Sequence, residues 1–157
     1  MNLEWLKSGM SPLKDLIDFL YKKSQTNDVI KKQLIKELRN NLNVFKNGFM
    51  NEVSYDTIID LLSNESIQDA VRLNFSFNKL RPGLITSEII YNDRNKKYVG
   101  WTAERLIDKI DEKIIELKNI KRMNNGSVNG VKNNTTLMVS NLYYRMKLLA
   151  DFIQSNK

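Results

Sequence analysis

TAERLIDKIDEKIIELKNIKR, residues 102–122, decides the fold class. Ile107, Ile110, Ile114 and Leu117 recur at steps of three and four, which places them on one face of an α-helix. Thr102 is the expected N-cap, with a hydroxyl that can accept from the free N–H groups of the first turn. Acids come early (Glu104, Asp108, Asp111, Glu112) and bases late (Lys118, Lys121, Arg122). That order suits the helix dipole, whose positive end is N-terminal. The helix should stop in Asn124-Asn125-Gly126.

Towards the C-terminus, residues 124–134 read as a polar loop rich in Asn and Gly. Thr135 or Thr136 should cap a last helix over 136–155, with Met138, Leu142, Met146, Leu149 and Ile153 as its apolar stripe. A loop this short predicts an antiparallel pair with 102–122.

Towards the N-terminus, Ser11-Pro12 fits an N-cap followed by Pro at the first helical position. Leu13, Leu16, Ile17 and Leu20 form one stripe; Ile30, Leu34, Leu38, Leu42 and Phe45 form another in phase with it. One long or kinked helix over 12–47 is expected, closing at Asn47-Gly48, although Ser24-Gln25-Thr26-Asn27-Asp28 could separate two. Ser54 should cap a short helix holding Ile58, Ile59, Leu61 and Leu62. Ser63 or Asn64 should cap another holding Ile67, Ala70 and Val71. Arg81-Pro82-Gly83 breaks the pattern. Residues 83–101 are β-branched and aromatic around the turn formers Asn92-Asp93-Arg94-Asn95, which predicts a small β-hairpin or an ordered loop. The expected architecture is all-α: a single domain over 1–157, a four- to five-helix bundle with a long N-terminal helix, a C-terminal antiparallel helical hairpin and an irregular or β-hairpin insertion near 83–100.

Composition restricts the chemistry. The 157 residues include no cysteine and no histidine. Disulfides, thiolate nucleophiles, His-ligated zinc and Ser-His-Asp triads are therefore excluded. The N-terminus lacks a secretory pattern, and no apolar run reaches membrane-spanning length. A soluble, cytoplasmic protein is expected. Net charge is +7, divided as +4 over residues 1–50, −1 over 51–100 and +4 over 101–157. Such a charge fits a polyanion partner. It also fits A/T-rich codon usage, since 20 asparagines accompany abundant Lys and Ile.

Five groups of residues bear on function. Asp108, Asp111, Glu112 and Glu116 could begin a Mg²⁺ cage of the kind found in all-α nucleotide pyrophosphohydrolases. Arg105, Lys109 and Lys113 interleave them, and the last helix offers only Asp151, so a solvated helix face is the expectation. Arg39-Asn40-Asn41 has the Arg-polar start that HEPN-type helical ribonucleases complete with a His, which this chain lacks. Arg81, Arg94, Lys96 and Lys97 lie among Tyr91, Tyr98 and Trp101, a mixture of cations and rings suited to single-stranded nucleic acid or to a partner. Alternatively, Tyr98 and Trp101 pack at the start of the helix. Lys22, Lys23, Lys31, Lys32, Lys36, Arg39, Lys118, Lys121, Arg122, Lys132, Arg145 and Lys147 load the helices with positive charge and read chiefly as solvated surface. Leu3, Trp5, Leu6 and Met10 could form a partner-binding or membrane-surface arm, or fold back. No phosphate-binding glycine loop is present.

No complete catalytic constellation emerges. The sequence is therefore read as a non-catalytic helical interaction module without cofactor or metal. It would be an accessory, regulatory or immunity-type protein of a low-G+C bacterium or its phage, binding another protein or itself. The alternative is a nucleic-acid-binding helical module using the basic outer helices and the Tyr91–Trp101 segment.

Overall fold

The computed structural model describes residues 10–155, with the side chains of Met10 and Ser11 left aside. The proposed arm of Leu3, Trp5 and Leu6 lies outside these residues. The described residues form six α-helices: α1 (Met10–Lys23), α2 (Val29–Met50), α3 (Tyr55–Leu61), α4 (Glu65–Arg72), α5 (Ala103–Met123) and α6 (Thr135–Gln154). Short 3-10 turns occupy Phe77–Lys79, Ser87–Ile89 and Asp93–Tyr98. No strand occurs among the described residues.

The expected long helix over 12–47 is two helices. Ser24 ends α1: its hydroxyl donates to Tyr21 O at 2.6 Å while its N–H still reaches Leu20 O. Asp28 starts α2, accepting from the Lys31 N–H at 3.1 Å. These short polar side chains offer the backbone partners that compete with helix continuation. The turn folds α1 back on α2, so that Leu13, Leu16 and Leu20 meet a core that also holds Leu34, Leu38 and Leu42. In-phase stripes are what either solution requires, and burial of both stripes against each other favours the hairpin. α1 already includes Met10 and Ser11, so Ser11 is not its N-cap and Pro12 stands inside the helix.

Gly48 does not cap α2. It lies within the helix, and a Cβ there would meet Ile58 Cδ1 and Val53 Cγ2, both at 3.1 Å. Its role is close approach, which lets the start of α3 seat against α2. Ser54 caps α3 and Thr102 caps α5 as expected, each accepting from the N–H three residues on at 3.2 Å. Asn134, one residue before the two expected threonines, caps α6. The stop after α5 falls at Asn124, with Asn125 and Gly126 both at positive φ.

α6 is the centre of the packing. Eleven of its twenty residues are buried, and it contacts α1, α2 and α5. Ile107 and Ile110 of α5 line the same small space as Met146, Leu149 and Ile153 of α6, while Lys113 and Leu117 face Met138, Asn141 and Arg145. This pairing is antiparallel. The void at the first of these places is only about 30 Å³, far below the several hundred Å³ of a ligand pocket.

Polar ties fix the short helices. Asn41, buried in α2, donates to Ser63 O at 2.8 Å and accepts from Ser63 N at 2.9 Å, holding the α3–α4 link as a backbone neighbour would. Glu37, one turn earlier, accepts from Ser63 Oγ at 2.9 Å and from the Ser66 N–H at 2.7 Å. Glu37 thus serves the N-terminus of α4, where Asn64 makes no side-chain cap. On the opposite side, Asp111 of α5 accepts from Asn64 Nδ2 at 2.8 Å and from Gln68 Nε2.

Replacing Asn41 by Ala orphans both Ser63 backbone groups. Each should cost about 1–3 kcal/mol, read by urea denaturation. Burial pushes the Glu37 carboxyl above its usual 4.5, against the opposing pull of its hydrogen bonds from the Ser66 N–H and the Ser63 hydroxyl. The folded state therefore holds this proton more tightly than the unfolded chain. The resulting stability is complete below 4.5 and is lost as pH rises through the raised value. The stability of the native chain minus that of Glu37→Gln should accordingly fall as pH climbs from the acid range to neutrality. A constant or rising difference across a pH series of urea melts contradicts this.

A candidate interaction surface on the 83–101 segment

Residues 83–101 lie along α6 as an ordered loop with two 3-10 turns. Ile85 closes its base, donating from N to Trp101 O at 2.9 Å and accepting from Gly100 N at 2.8 Å. Two bonds through one residue make a clasp without a ladder, and Gly100 enters it at a φ of +87°, where side chains are strained. The β-hairpin alternative is thus replaced by a loop. Pairing stops after Ile85 because residues 87–89 and 93–98 turn inward to bury Ile89, Asn95 and Tyr98.

Each candidate side chain has a definite place. Arg94 donates to Ser140 Oγ and Asn141 Oδ1, both at 3.0 Å, and its guanidinium lies 4.4 Å from the Tyr144 ring centroid. Tyr98 is 2% exposed, and its hydroxyl accepts from Arg145 Nε at 2.5 Å. Trp101 meets the Tyr98 ring edge-on at 4.8 Å, and Arg105 covers it at 4.2 Å. Lys97 stands 5.4 Å from the Tyr98 ring. Lys96 pairs with Asp93 at 3.1 Å in full solvent, a contact of little energetic weight. Tyr91 is 71% exposed, with Lys147 Nζ 5.3 Å from its ring. Arg81 is engaged at the last turn of α6, donating to Phe152 O at 3.0 Å and stacking 4.6 Å over the Phe152 ring.

Tyr91, Arg94, Lys96 and Lys97 are thus on the outer part of the loop. Tyr98 and Trp101 form its packed underside, and Arg81 serves a helix end. Sequence reasoning passed over Asn95, which is buried and donates to Tyr144 O at 3.1 Å. It also placed Arg145 on the surface, whereas the side chain is 6% exposed. Only the phase of α6 marks it: Arg145 is three residues from Leu142 and four from Leu149.

Beside Tyr91 a cleft of about 610 Å³ opens between the start of α1, residues 89–95 and α6. Asp15, Asn92, Asn95, Lys147 and Asp151 give it a polar lining. Lys147 and Asp151 pair at 3.0 Å with both side chains largely covered. Burial raises the Asp151 pKa, and Lys147 opposes the rise. The Lys147 ammonium leaves this carboxylate engaged, and Asp15 is the other acid that lines the cleft among the described residues.

Three of the α5 carboxylates are likewise engaged singly. Glu112 pairs with Lys109 at 3.6 Å and Glu116 with Lys113 at 3.0 Å, while Asp111 serves the amides of α4 and its cap. Asp108 is raised by partial burial first and by Glu104 and Asp111 next. Among the described residues no group of three Asp or Glu side chains is placed to hold a metal ion. No described helix is long and apolar enough to cross a membrane.

Tyr98→Phe should cost about 1.5–3 kcal/mol, since it leaves the buried Arg145 cation without that acceptor. Tyr91→Phe, on the exposed ring, should change stability by less than about 0.5 kcal/mol. Equal effects of the two in urea denaturation would show that the Tyr98–Arg145 bond does not hold the loop.

The chain matches no protein-family model, no curated protein and no solved structure, which leaves this geometry as the ground for any functional reading.

Proposed function

We propose that this protein is a non-catalytic helical interaction module that works by protein–protein contact through the outer side of residues 83–101. One observation carries the reading. The loop is anchored by the buried Ile85, Ile89, Asn95 and Tyr98, yet it displays Leu84 (56% exposed), Tyr91 (71%) and Val99 (45%). Loops of this length inside compact domains are uncommon and usually functional. A rigid loop presenting apolar and aromatic groups has little ordering entropy left to lose on binding, and aromatic residues are enriched at interfaces.

The Asn-, Lys- and Ile-rich composition fits a low-G+C bacterium or its phage, and the role read for the protein there is an accessory, regulatory or immunity-type one in the cytoplasm. The partner would be another protein or a second copy. The same segment supports a nucleic-acid reading less well, because Tyr98 and Trp101 already stack against Arg145, Arg105 and each other. Tyr91 alone of its rings stands open.

Size-exclusion chromatography with light scattering, together with capture from the native host, tests the proposal. The Leu84→Ser/Tyr91→Ala/Val99→Ser variant should lose self-association or partner capture while melting within a few degrees of the native chain. A strict monomer that captures nothing, or an association indifferent to the triple change, overturns it.

A further inference from the structure

The positive charge of this protein is not evenly balanced over its helices. On α5 and α6 the lysines are engaged. Lys109, Lys113, Lys121 and Lys147 each pair with a carboxylate, and Lys118 donates to Ile59 O at 3.0 Å and more weakly to Asp60 O, closing the end of α3. The α1–α2 turn is different. Residues 20–36 hold Lys22, Lys23, Lys31, Lys32 and Lys36 against a single carboxylate, Asp28. Asp28 is itself committed to the Lys31 backbone N–H. None of the five ammonium groups has an ion-pair partner among the described residues.

Helix electrostatics do not account for this. Lys22 and Lys23 suit the C-terminal end of α1. Lys31 and Lys32, however, stand in the first turn of α2, which contains no acid. There the dipole and the free N–H groups favour anions and disfavour cations. Four like charges therefore gather around one turn at a cost to the folded state. Between them runs a groove of about 420 Å³ lined by Lys22, Lys23, Gln25, Thr26, Asn27 and Lys31. Its floor is polar, with amides and a hydroxyl able to hydrogen-bond. Tyr21, 57% exposed, lies beside it with Arg39 5.2 Å from the ring centroid.

We propose that the α1–α2 turn is a binding surface for single-stranded nucleic acid, with Lys22, Lys23, Lys31 and Lys32 holding phosphates and Tyr21 offering a face for a base. A membrane-surface site buries a broad apolar face beside its lysines; here Val29, 64% exposed, and Tyr21 stand beside them, while the groove itself is lined by hydrogen-bonding groups, which suit phosphates, sugars and base edges. The surface is distinct from the 83–101 loop and does not depend on the reading given for it.

Fluorescence anisotropy of the full chain with a labelled mixed-sequence single strand of about 20 nucleotides, longer than one site of up to roughly 16, tests the proposal. Log affinity should fall linearly with log salt. The slope should shrink by about 0.7 for each phosphate-binding lysine lost, hence by about 3 in K22Q/K23Q/K31Q/K32Q. The pairs K22Q/K23Q and K31Q/K32Q should each give about half of that, so the outcome does not rest on one multiple variant. The fourfold variant should melt no lower than the native chain, because it relieves repulsion. Y21A should weaken binding about tenfold, in the range of one lost stack. K109Q/K113Q and the Leu84/Tyr91/Val99 variant should bind as the native chain does. Absence of binding at low salt, unchanged slopes in the Lys22/Lys23 and Lys31/Lys32 variants, or sedimentation with phosphatidylserine vesicles in place of oligonucleotide binding would each overturn the proposal.

Discussion

Arg145 is a cation on the most enclosed helix of the protein, and the structure around it is arranged to make that tolerable. A buried guanidinium without acceptors costs several kcal/mol. Here Nε meets the Tyr98 hydroxyl, and the Tyr98 ring lies 5.9 Å from the guanidinium carbon. Tyr98 can arrive there only because residues 83–101 lie along α6, clasped at Ile85 and turned inward at Asn95. The burial of α6 and the path of the longest irregular segment are therefore one problem with one solution. The loop's inner side belongs to the fold. That leaves its outer side, with Leu84, Tyr91 and Val99, free of any structural duty so far identified.

A second set of polar ties works at the other side of the core. α3 and α4 are short, and a helix of seven or eight residues has little stability of its own. Asn41, Glu37 and Asp111 supply what local sequence does not. Asn41 pairs with the Ser63 backbone, Glu37 reaches the first turn of α4, and Asp111 takes the amides of Asn64 and Gln68. These three side chains join α2 and α5 through the short pair. One of them, Asp111, belongs to the carboxylate row that could be mistaken for a metal cage. Its commitment to two amides is a structural use of the same charge.

Strong helical periodicity was legible in the sequence wherever one face of a helix is buried. Ile107, Ile110, Ile114 and Leu117 are all buried on α5, and the Thr102 and Ser54 caps are where their chemistry places them. The division of residues 12–47 was harder, because an in-phase stripe is compatible with one helix or with two folded together. Only the tertiary gain of closing the hairpin separates them. The 83–101 segment carries β-type residues for burial, and burial can be met by 3-10 turns as well as by strands. Asn41 and Arg145 went unread for a common reason. Each is a polar residue within an apolar phase, and its partner lies 22 or 47 residues away. Tyr91, Arg94, Lys96, Lys97, Tyr98 and Trp101 do share one segment, but adjacency in sequence did not say which would be covered.

The two terminal thirds of the chain carry equal net charge, +4 each, and the fold treats them differently. On α5 and α6 acids stand three or four residues from the bases, so pairs form within the helix. On α1 and α2 acids stand at that spacing from Lys22 (Asp18) and from Lys31 and Lys32 (Asp28), yet no ion pair forms among the described residues. Codon bias can supply lysines, but it does not determine which of them face carboxylates. Lys31 and Lys32 stand at a helix start that disfavours cations, which lowers stability, and a stable chain carrying such a cost must recover it elsewhere, either from its core or from an anionic partner. The core offers ample recovery for folding. A partner gives the charge a reason to be at this turn, where Lys22, Lys23 and Lys31 border a polar groove and the exposed Tyr21 ring, with Arg39 over it, stands nearby.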